Sequence, residues 1–580
     1  MAHKKQLSRR DVMKYGAAAG AAGMFGKAFA QTTCVEPGPV DIANVTFTGC
    51  GIGELFPVSP FITTPFIDAL PVPAALRPGY RRPDGTLAPA NATDLWSVRQ
   101  KDGVFGANRS APGPGTGAQD SMGDRPANDS LALGLPRKGT HQLYPGGLGV
   151  SYKNLAGGAK TVFDALPAQP ILYHIRLQLA QHRVTNAPVQ NINLAGQTVA
   201  LPPGANAVVA NRRNNTFFLP FSTRYNFNGS FPGPLINAEY GKPVIVRFEN
   251  DLDQNPLCLD RQDFGAPDWA FLTHLHNGHT APESDGNPNH MTDNEGGYQP
   301  GQWVDNLYLG YPAGGDDREK QSFLWFHDHR MHHTGPNVYK GMVGLMPHYD
   351  PVLDPGDETK GLRLPGVRTN NPDGTFDVKY DVPLALYDAC MDDGITAHID
   401  EHQPAAVCGL THPEWWGKLF LQHYPNHGFV GDIFTVNGVA FPVLNVERRK
   451  YRFRFLGASL ARCYNMSLRQ GTLVEARGRQ GQWSFGVVRR GVVGFNLGTQ
   501  VMKMTQIANE GGLLPTAFET DTVQVWPAKR REVIVDFSKY QDGTPTRTGD
   551  VIYLTNTMEM LNGRKPDNQF GFAVPMLKFV

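Results

Sequence analysis

Apolar and polar residues alternate through Ile171-Leu-Tyr-His-Ile-Arg-Leu-Gln-Leu179, through Val244-Ile-Val-Arg-Phe248 after the Gly241-Lys-Pro243 turn, and through Arg449-Lys-Tyr-Arg-Phe-Arg-Phe455. A period of two places successive side chains on opposite faces, so each stretch predicts a β-strand. In the last of them Tyr451, Phe453 and Phe455 share one side, and Lys450, Arg452 and Arg454 the other. Arg531-Glu-Val-Ile-Val-Asp-Phe537 predicts another strand, and Gln321-Ser-Phe-Leu-Trp-Phe-His327 leads into a histidine pair. No helical period of comparable length, heptad pattern or solenoid repeat interrupts the series. Gly 64 and Pro 46, about a fifth of the chain, fit many short strands joined by turns. The expected class is all-β.

A chain of 580 residues exceeds one core, so several domains are expected. Residues 1–30 read as an export signal. Ser8-Arg9-Arg10-Asp11-Val12-Met13-Lys14 precedes an Ala/Gly-rich apolar run ending in Ala28-Phe29-Ala30, a small-residue cleavage pattern that resembles a twin-arginine signal. The alternative is a single membrane anchor, but the apolar run is shorter than the ~20 residues of a span, and no membrane span is expected after signal removal. The expected location is periplasmic, or otherwise exported by the twin-arginine route. Residues 31–167 contain turn-rich stretches such as Ala111-Pro-Gly-Pro-Gly-Thr-Gly117 and predict an irregular extension. Strand-forming domains are expected over 168–350 and 351–580, joined by a Pro/Gly/Asp-rich segment.

Lys+Arg 54 against Asp+Glu 53 gives a net charge of +1, with the basic residues scattered. Neither nucleic acid nor an anionic membrane surface is an expected partner. Six cysteines stand at 34, 50, 258, 390, 408 and 463 without a Cys-X-X-Cys pair, which removes support for zinc or thioredoxin-like chemistry. An exported chain permits disulfides, Cys34 with Cys50 first; buried thiols are the alternative.

Nine of the 18 histidines fall between His274 and His348, and none follows His427. Two His-X-His motifs stand out: His274-Leu-His276 and, 53 positions on, His327-Asp-His329. Two histidines separated by one residue on a strand project to the same side and can grip adjacent metal ions; imidazole suits copper. His279, His290, His332, His333 and His348 lie at other spacings and read first as surface, core or hydrogen-bonding residues. His398, His402, Cys408 and His412, with His423 and His427 after them, form a loose cluster that reads as loop residues or an accessory copper site. Met502 and Met504 read as core packing.

Tyr225-Asn-Phe-Asn-Gly-Ser-Phe-Pro-Gly-Pro-Leu-Ile236, His274-Leu-His-Asn-Gly278, Trp325-Phe-His-Asp-His329, Asn337-Val-Tyr-Lys-Gly-Met-Val-Gly344 and Val436-Asn-Gly-Val-Ala-Phe-Pro442 together resemble the multicopper oxidases of the bacterial spore-coat laccase and bilirubin oxidase type. Pro65-Phe-Ile-Asp-Ala-Leu-Pro-Val-Pro73 looks like the segment that opens such enzymes. The resemblance implies tandem cupredoxin-like Greek-key barrels, the two domains above being the first and second of three. It implies copper as cofactor, with His274 a ligand of the type 2 ion and His276, His327 and His329 ligands of the type 3 pair. It also implies oxidation of phenolic, tetrapyrrole or metal-ion substrates with reduction of dioxygen to water, so the expected partners are dioxygen and a small reducing substrate. Asp285 matches an acidic position thought to help supply protons, although an Asp before Gly is equally a turn residue.

The family's third domain carries the remaining trinuclear histidines and the type 1 site. Val574-Pro-Met-Leu-Lys-Phe-Val580 looks like the final strand of the second domain, so the third is expected to lie outside this chain, a separate partner chain being one source of it. A two-domain copper enzyme would need a type 1 Cys followed closely by His, and Arg462-Cys-Tyr-Asn-Met466 offers none. The expected function is a laccase-like multicopper oxidase portion holding half of the trinuclear ligands, and the alternative is a non-catalytic periplasmic copper-binding or scaffold protein.

Overall fold

A computed structural model describes residues 59–79, 171–193, 197–252, 270–280, 284–286, 288, 303–312, 316–331, 333–397, 411–420, 429–471, 473–476, 492–495, 498–560, 566 and 568–580. The export signal, the extension over 31–167 apart from its 59–79 portion, Cys34, Cys50, Cys258, Cys408, His290, His332, His398, His402, His423 and His427 lie outside the described residues.

The described chain is built of strands, with a single short α-helix, Thr334–Lys340. The all-β expectation holds. One four-stranded sheet runs Trp303–Tyr308, Val244–Asn250, Ile171–His182, Ser222–Phe227. A second runs Ala238–Glu239, Val343–Tyr349, Phe323–Asp328, Thr273–His276. Their inner faces meet in one core: Tyr173, Ile175, Leu177, Phe227, Val246 and Phe248 from the first pack with Leu275, Leu324, Phe326 and Met346 from the second. Burial of such side chains, at roughly 25 cal/mol per Å2 of apolar surface, holds the sheets together. Gly344 faces the Phe326 ring, where an added Cβ would stand 2.0 Å from the ring carbons, so only glycine permits that approach.

Beyond residue 366 the main strands form a larger pair of sheets. The first is ordered Val439–Ala440, Ile433–Val436, Asp381–Met391, Lys450–Gly457, Arg530–Asp536, Met504–Asn509, Gly512–Thr520, with Leu419–Phe420 also paired to Asp381–Met391. The second is ordered Val443–Leu444, Asn568–Phe579, Ile552–Glu559, Tyr464–Gln470, Thr499–Met502, with Val523–Val525 also paired to Tyr464–Gln470. Phe453, Phe455, Val533 and Val535 meet Leu468, Leu554, Val574 and Leu577 between them. Met502 and Met504 are both buried in this core, although they end one strand and begin another in the opposite sheet.

The opposite face of Lys450–Gly457 is also sealed. Arg452 and Arg454 are wholly buried. Arg452 donates from Nε to Glu532 at 2.8 Å and from Nη1 to Asp354 at 2.7 Å; Arg454 donates from Nε and Nη2 to the two oxygens of Asp381, each at 2.7 Å. Arg454 also donates to the Ser322 carbonyl, and the Ser322 hydroxyl donates to Glu532. This network therefore joins the larger sheet to the residue that precedes the Phe323–Asp328 strand.

That strand is buried on both sides. Leu324 and Phe326 belong to the smaller core, while Phe323 and Trp325 belong to the larger one. With a period of two, His327 must share the Phe323 and Trp325 side and point away from the smaller sandwich.

Candidate metal centre

The same parity governs the Thr273–His276 strand. Leu275 enters the smaller core, so His274 and His276 project outward, each only partly buried. Antiparallel pairing sets His274 opposite His327 and His276 opposite Trp325. The two motifs therefore land side by side at the rim of one sheet, and the backbone N–H of His329, just past the strand, donates to Leu272 O at 2.6 Å. Ring centroids of His274 and His329 lie 4.7 Å apart, His274 and His327 5.6 Å, and His276 and His327 5.3 Å. Trp325 stacks against His327 at 4.1 Å and against His276 at 5.2 Å. The indole fixes the plane of both rings from one side.

Two imidazoles are oriented through Nδ1. His274 Nδ1 donates to the Asp285 carbonyl at 2.5 Å, and His327 Nδ1 donates to the Asp328 carbonyl at 2.7 Å. Each bond leaves Nε2 as the lone-pair nitrogen, the arrangement by which metal-binding histidines are commonly held. His276 Nδ1 and His327 Nε2 face each other at 3.1 Å. That separation suits two nitrogens sharing one ion with bonds of roughly 2.0 Å. Among the described residues, His329 Nδ1 is buried without a hydrogen-bond partner. The donor set fits copper. Among the described residues no three His, Cys, Asp or Glu side chains close on a single ion, so the histidines form a partial shell.

Burial pushes His276 down to about 3, with the Arg530 charge adding to the effect. Burial likewise holds His327 well below the ordinary imidazole range and lowers His329. These rings are neutral at physiological pH, the form that binds metal. Asp285 behaves differently. Burial pushes its carboxyl up, but the hydrogen bond and charge of His274 and the Thr280 hydroxyl outweigh this and bring it below the ordinary value. Its Oδ1 lies 3.3 Å from His274 Nδ1 and accepts from Thr280 Oγ1 at 2.9 Å. The turn reading and the site reading of Asp285 are therefore compatible. Gly286 follows at φ 69°, and a Cβ there would stand 2.1 Å from Thr273 O.

Asp328, between the two histidines of its motif, was not singled out from the sequence. Its carboxylate accepts from Leu272 N at 2.8 Å, Arg330 N at 3.1 Å and Asn337 Nδ2 at 3.2 Å, tying both strands to the helix. Burial raises it to about 6 against those hydrogen bonds. The available signal was its parity: an acid on the core-facing side of a strand needs buried donors.

His279 and His348 line a small cavity with Tyr240, Tyr308 and Thr280, and the His348 ring packs against Tyr240 at 5.0 Å. His333 stands at the N-terminus of the helix. Of the loose second cluster only His412 is described: it stacks on Trp415 at 3.8 Å, with Nδ1 3.0 Å from Glu414. Cys463 is a buried free thiol raised by burial to about 11, which gives it no thiolate character.

Residues 6–26 match the model of the twin-arginine translocation pathway signal sequence, and residues 220–260 match that of the multicopper oxidases. A laccase of Bacillus subtilis (strain 168) is 28% identical over 358 residues, which cover 58% of this chain and 54% of the relative. The bilirubin oxidase of Albifimbria verrucaria is 26% identical over 354 residues, 61% of this chain and 45% of the relative. The crystal structure of a laccase from Pediococcus acidilactici Pa5930 overlays with a TM-score of 0.40 at 20% identity, covering 71% of this chain and 58% of that one. The chain spans about half the length of the curated relatives it matches. Its N-terminus directs export by the twin-arginine route, and no helix among the described residues is long and apolar enough to cross a membrane. The signal, the histidine motifs and the matching relatives all point one way: over about half the length of those relatives, the chain is similar to multicopper oxidases.

Proposed function

We propose that this protein acts as a laccase-like copper oxidase, taking electrons from small phenolic, tetrapyrrole or metal-ion substrates and passing them to dioxygen. The observation that carries the reading is the gathering of four imidazoles at one sheet rim, two of them aimed through Nδ1 by backbone carbonyls. In this reading His274 holds a type 2 copper, and His276, His327 and His329 hold the type 3 pair. Bound copper supplies the one-electron steps that add up to the four electrons needed for reduction of dioxygen to water. Trp325 stacks on both the His276 and His327 rings and restrains their rotation from that side. Asp285, an anion at neutral pH, holds the Nδ1 proton of His274 in place and accepts a hydrogen bond at Oδ1 from the Thr280 hydroxyl, a position from which its carboxyl would help supply protons to the reduction.

These imidazoles are half of the trinuclear set that the family resemblance implies. Residues 1–580 contain no further His-X-His motif, and no His follows Cys463. We therefore read the chain as the portion with the first two cupredoxin-like domains, 168–350 and 351–580. The other ligands would come from a further segment or a separate chain.

Replacing His327 and His329 together with Ala is expected to remove most bound copper, measured as copper per chain by elemental analysis. It is also expected to abolish oxygen uptake once the complementary ligands are supplied. The same change at His332 and His333, consecutive residues that cannot share a strand face, should cost far less. Equal loss in both pairs would sink the ligand assignment. Copper retained by the wild type with no oxygen uptake after complementation would instead favour a copper-binding scaffold.

Export gives an independent check. Lys at both Arg9 and Arg10 keeps the charge but removes the pair that the translocation receptor reads. The double variant is expected to stay in the cytoplasm on cell fractionation, and normal accumulation outside it would contradict the twin-arginine assignment.

A further inference from the structure

We propose that Arg530 is a positioning residue for the copper cluster, a single guanidinium on the larger sheet that ties together the two strands carrying the histidines. The inference rests on the copper reading above and deepens it.

Arg530 begins the Arg530–Asp536 strand and is wholly buried. Its Nε donates to Phe323 O at 2.9 Å, its Nη2 to Asn277 Oδ1 at 2.7 Å and its Nη1 to Ala528 O at 2.7 Å. Phe323 opens the strand that ends at His327, and Asn277 directly follows His276. The planar fork of a guanidinium holds its donors at fixed angles, so these bonds set one strand's end against the other's beginning. Within the sheet, Trp325 already lies opposite His276. Arg530 closes the open end of that ladder from outside the sheet.

Asn277 stands at φ 62°, a left-handed conformation that asparagine tolerates and glycine adopts freely. That makes a clean test possible at an exposed position. Asn277→Gly keeps the backbone and deletes the acceptor, whereas Asn277→Asp keeps an acceptor for the guanidinium. Arg530→Lys keeps the charge but cannot reach both strands. The full chain would be loaded with copper(II) alone, and copper affinity and the electron paramagnetic resonance spectrum recorded beside an unfolding curve.

Asn277→Gly and Arg530→Lys are expected to bind copper about tenfold more weakly or worse, with an altered spectrum, in line with what loss of a ligand-orienting partner costs. Asn277→Asp should match the wild type. If Asn277→Gly or Arg530→Lys lowers only the unfolding midpoint, with affinity and spectrum unchanged, the positioning role is overturned. The same holds if Asn277→Asp behaves like Asn277→Gly. The paired His327→Ala and His329→Ala variant separates the two levels: if it loses copper while Asn277→Gly does not, only the Arg530 role falls, and if it too keeps its copper, the copper reading falls with it.

Discussion

Replacing Arg454 with Met is expected to destabilise the folded protein by about 3–5 kcal/mol, the usual cost of removing one partner from a buried ion pair. Arg454 and Arg452 are the cations paired with Asp381, Glu532 and Asp354, with side-chain exposures of 0% to 3%. Methionine fills much of the volume but leaves Asp381 without its two-bonded partner and the Ser322 carbonyl without a donor. A denaturant titration measures the loss, and a change below about 1 kcal/mol, typical of a surface pair, would show that the network contributes little. Lys379→Met, which removes an exposed pair with Glu447 and an exposed ammonium contact with the Tyr380 ring, is the control and should leave the midpoint close to wild type.

Acid gives a second reading of the same variant. Burial pushes the Asp381 carboxyl up, but Arg454 and then Arg452 outweigh it and hold it below its ordinary value. A lowered carboxylate contributes stability that is present above its unfolded pKa of about 3.9 and is lost as pH falls through the lowered folded value. Removing Arg454 takes away the largest stabilising charge, so Arg454→Met should unfold at a higher pH than wild type.

Gly286→Ala should damage the metal centre more than the fold. The backbone at φ 69° costs an alanine roughly 1–2 kcal/mol. The larger effect is steric, because its Cβ would sit 2.1 Å from Thr273 O and 3.0 Å from His274 N, atoms of the strand that carries His274. Either that strand or the Asp285 turn must move, and the His274 Nδ1 bond to Asp285 O cannot survive both. Copper affinity is expected to fall 10–100-fold, the range seen when a ligand loses its orienting partner. Gly229→Ala carries the same backbone cost at φ 74° with nothing within 4 Å of the added Cβ. Equal copper affinity in the two variants would mean that the Asp285 turn does not hold His274.

Much of the fold was legible in alternation alone. The stretches over Ile171–Leu179, Val244–Phe248, Arg449–Phe455 and Arg531–Phe537 all fall on observed strands, within a few residues at their ends. Through the same period of two, the histidine spacing put His274 with His276 on one side of a strand; that the two motifs meet depends on the pairing of that strand with Phe323–Asp328. What alternation cannot show is what covers a strand's second face. Arg452 and Arg454 have the pattern of a solvated edge, yet the acids that bury them lie 80 and 73 positions from them in the chain, on Glu532 and Asp381. Arg530 and Asn277 are separated by 253 positions, and no local pattern links them. Asp285 was readable only as a turn or a proton carrier, because its bond to His274 depends on a loop returning to the strand.

The Phe323–Asp328 strand, with a core on each side, also bears on when the protein can acquire its metal. A packed interior does not collapse to fill a missing ion, since both walls are already in contact with their neighbours. On the copper reading proposed above, the imidazole rim would already stand as a socket in the folded chain, and an arriving ion would meet donors whose rotational freedom was given up during folding rather than at binding. The twin-arginine route carries chains that have already folded. Folding and metal loading need not occur in the same compartment, and the socket can be shaped on one side of the membrane and filled on the other.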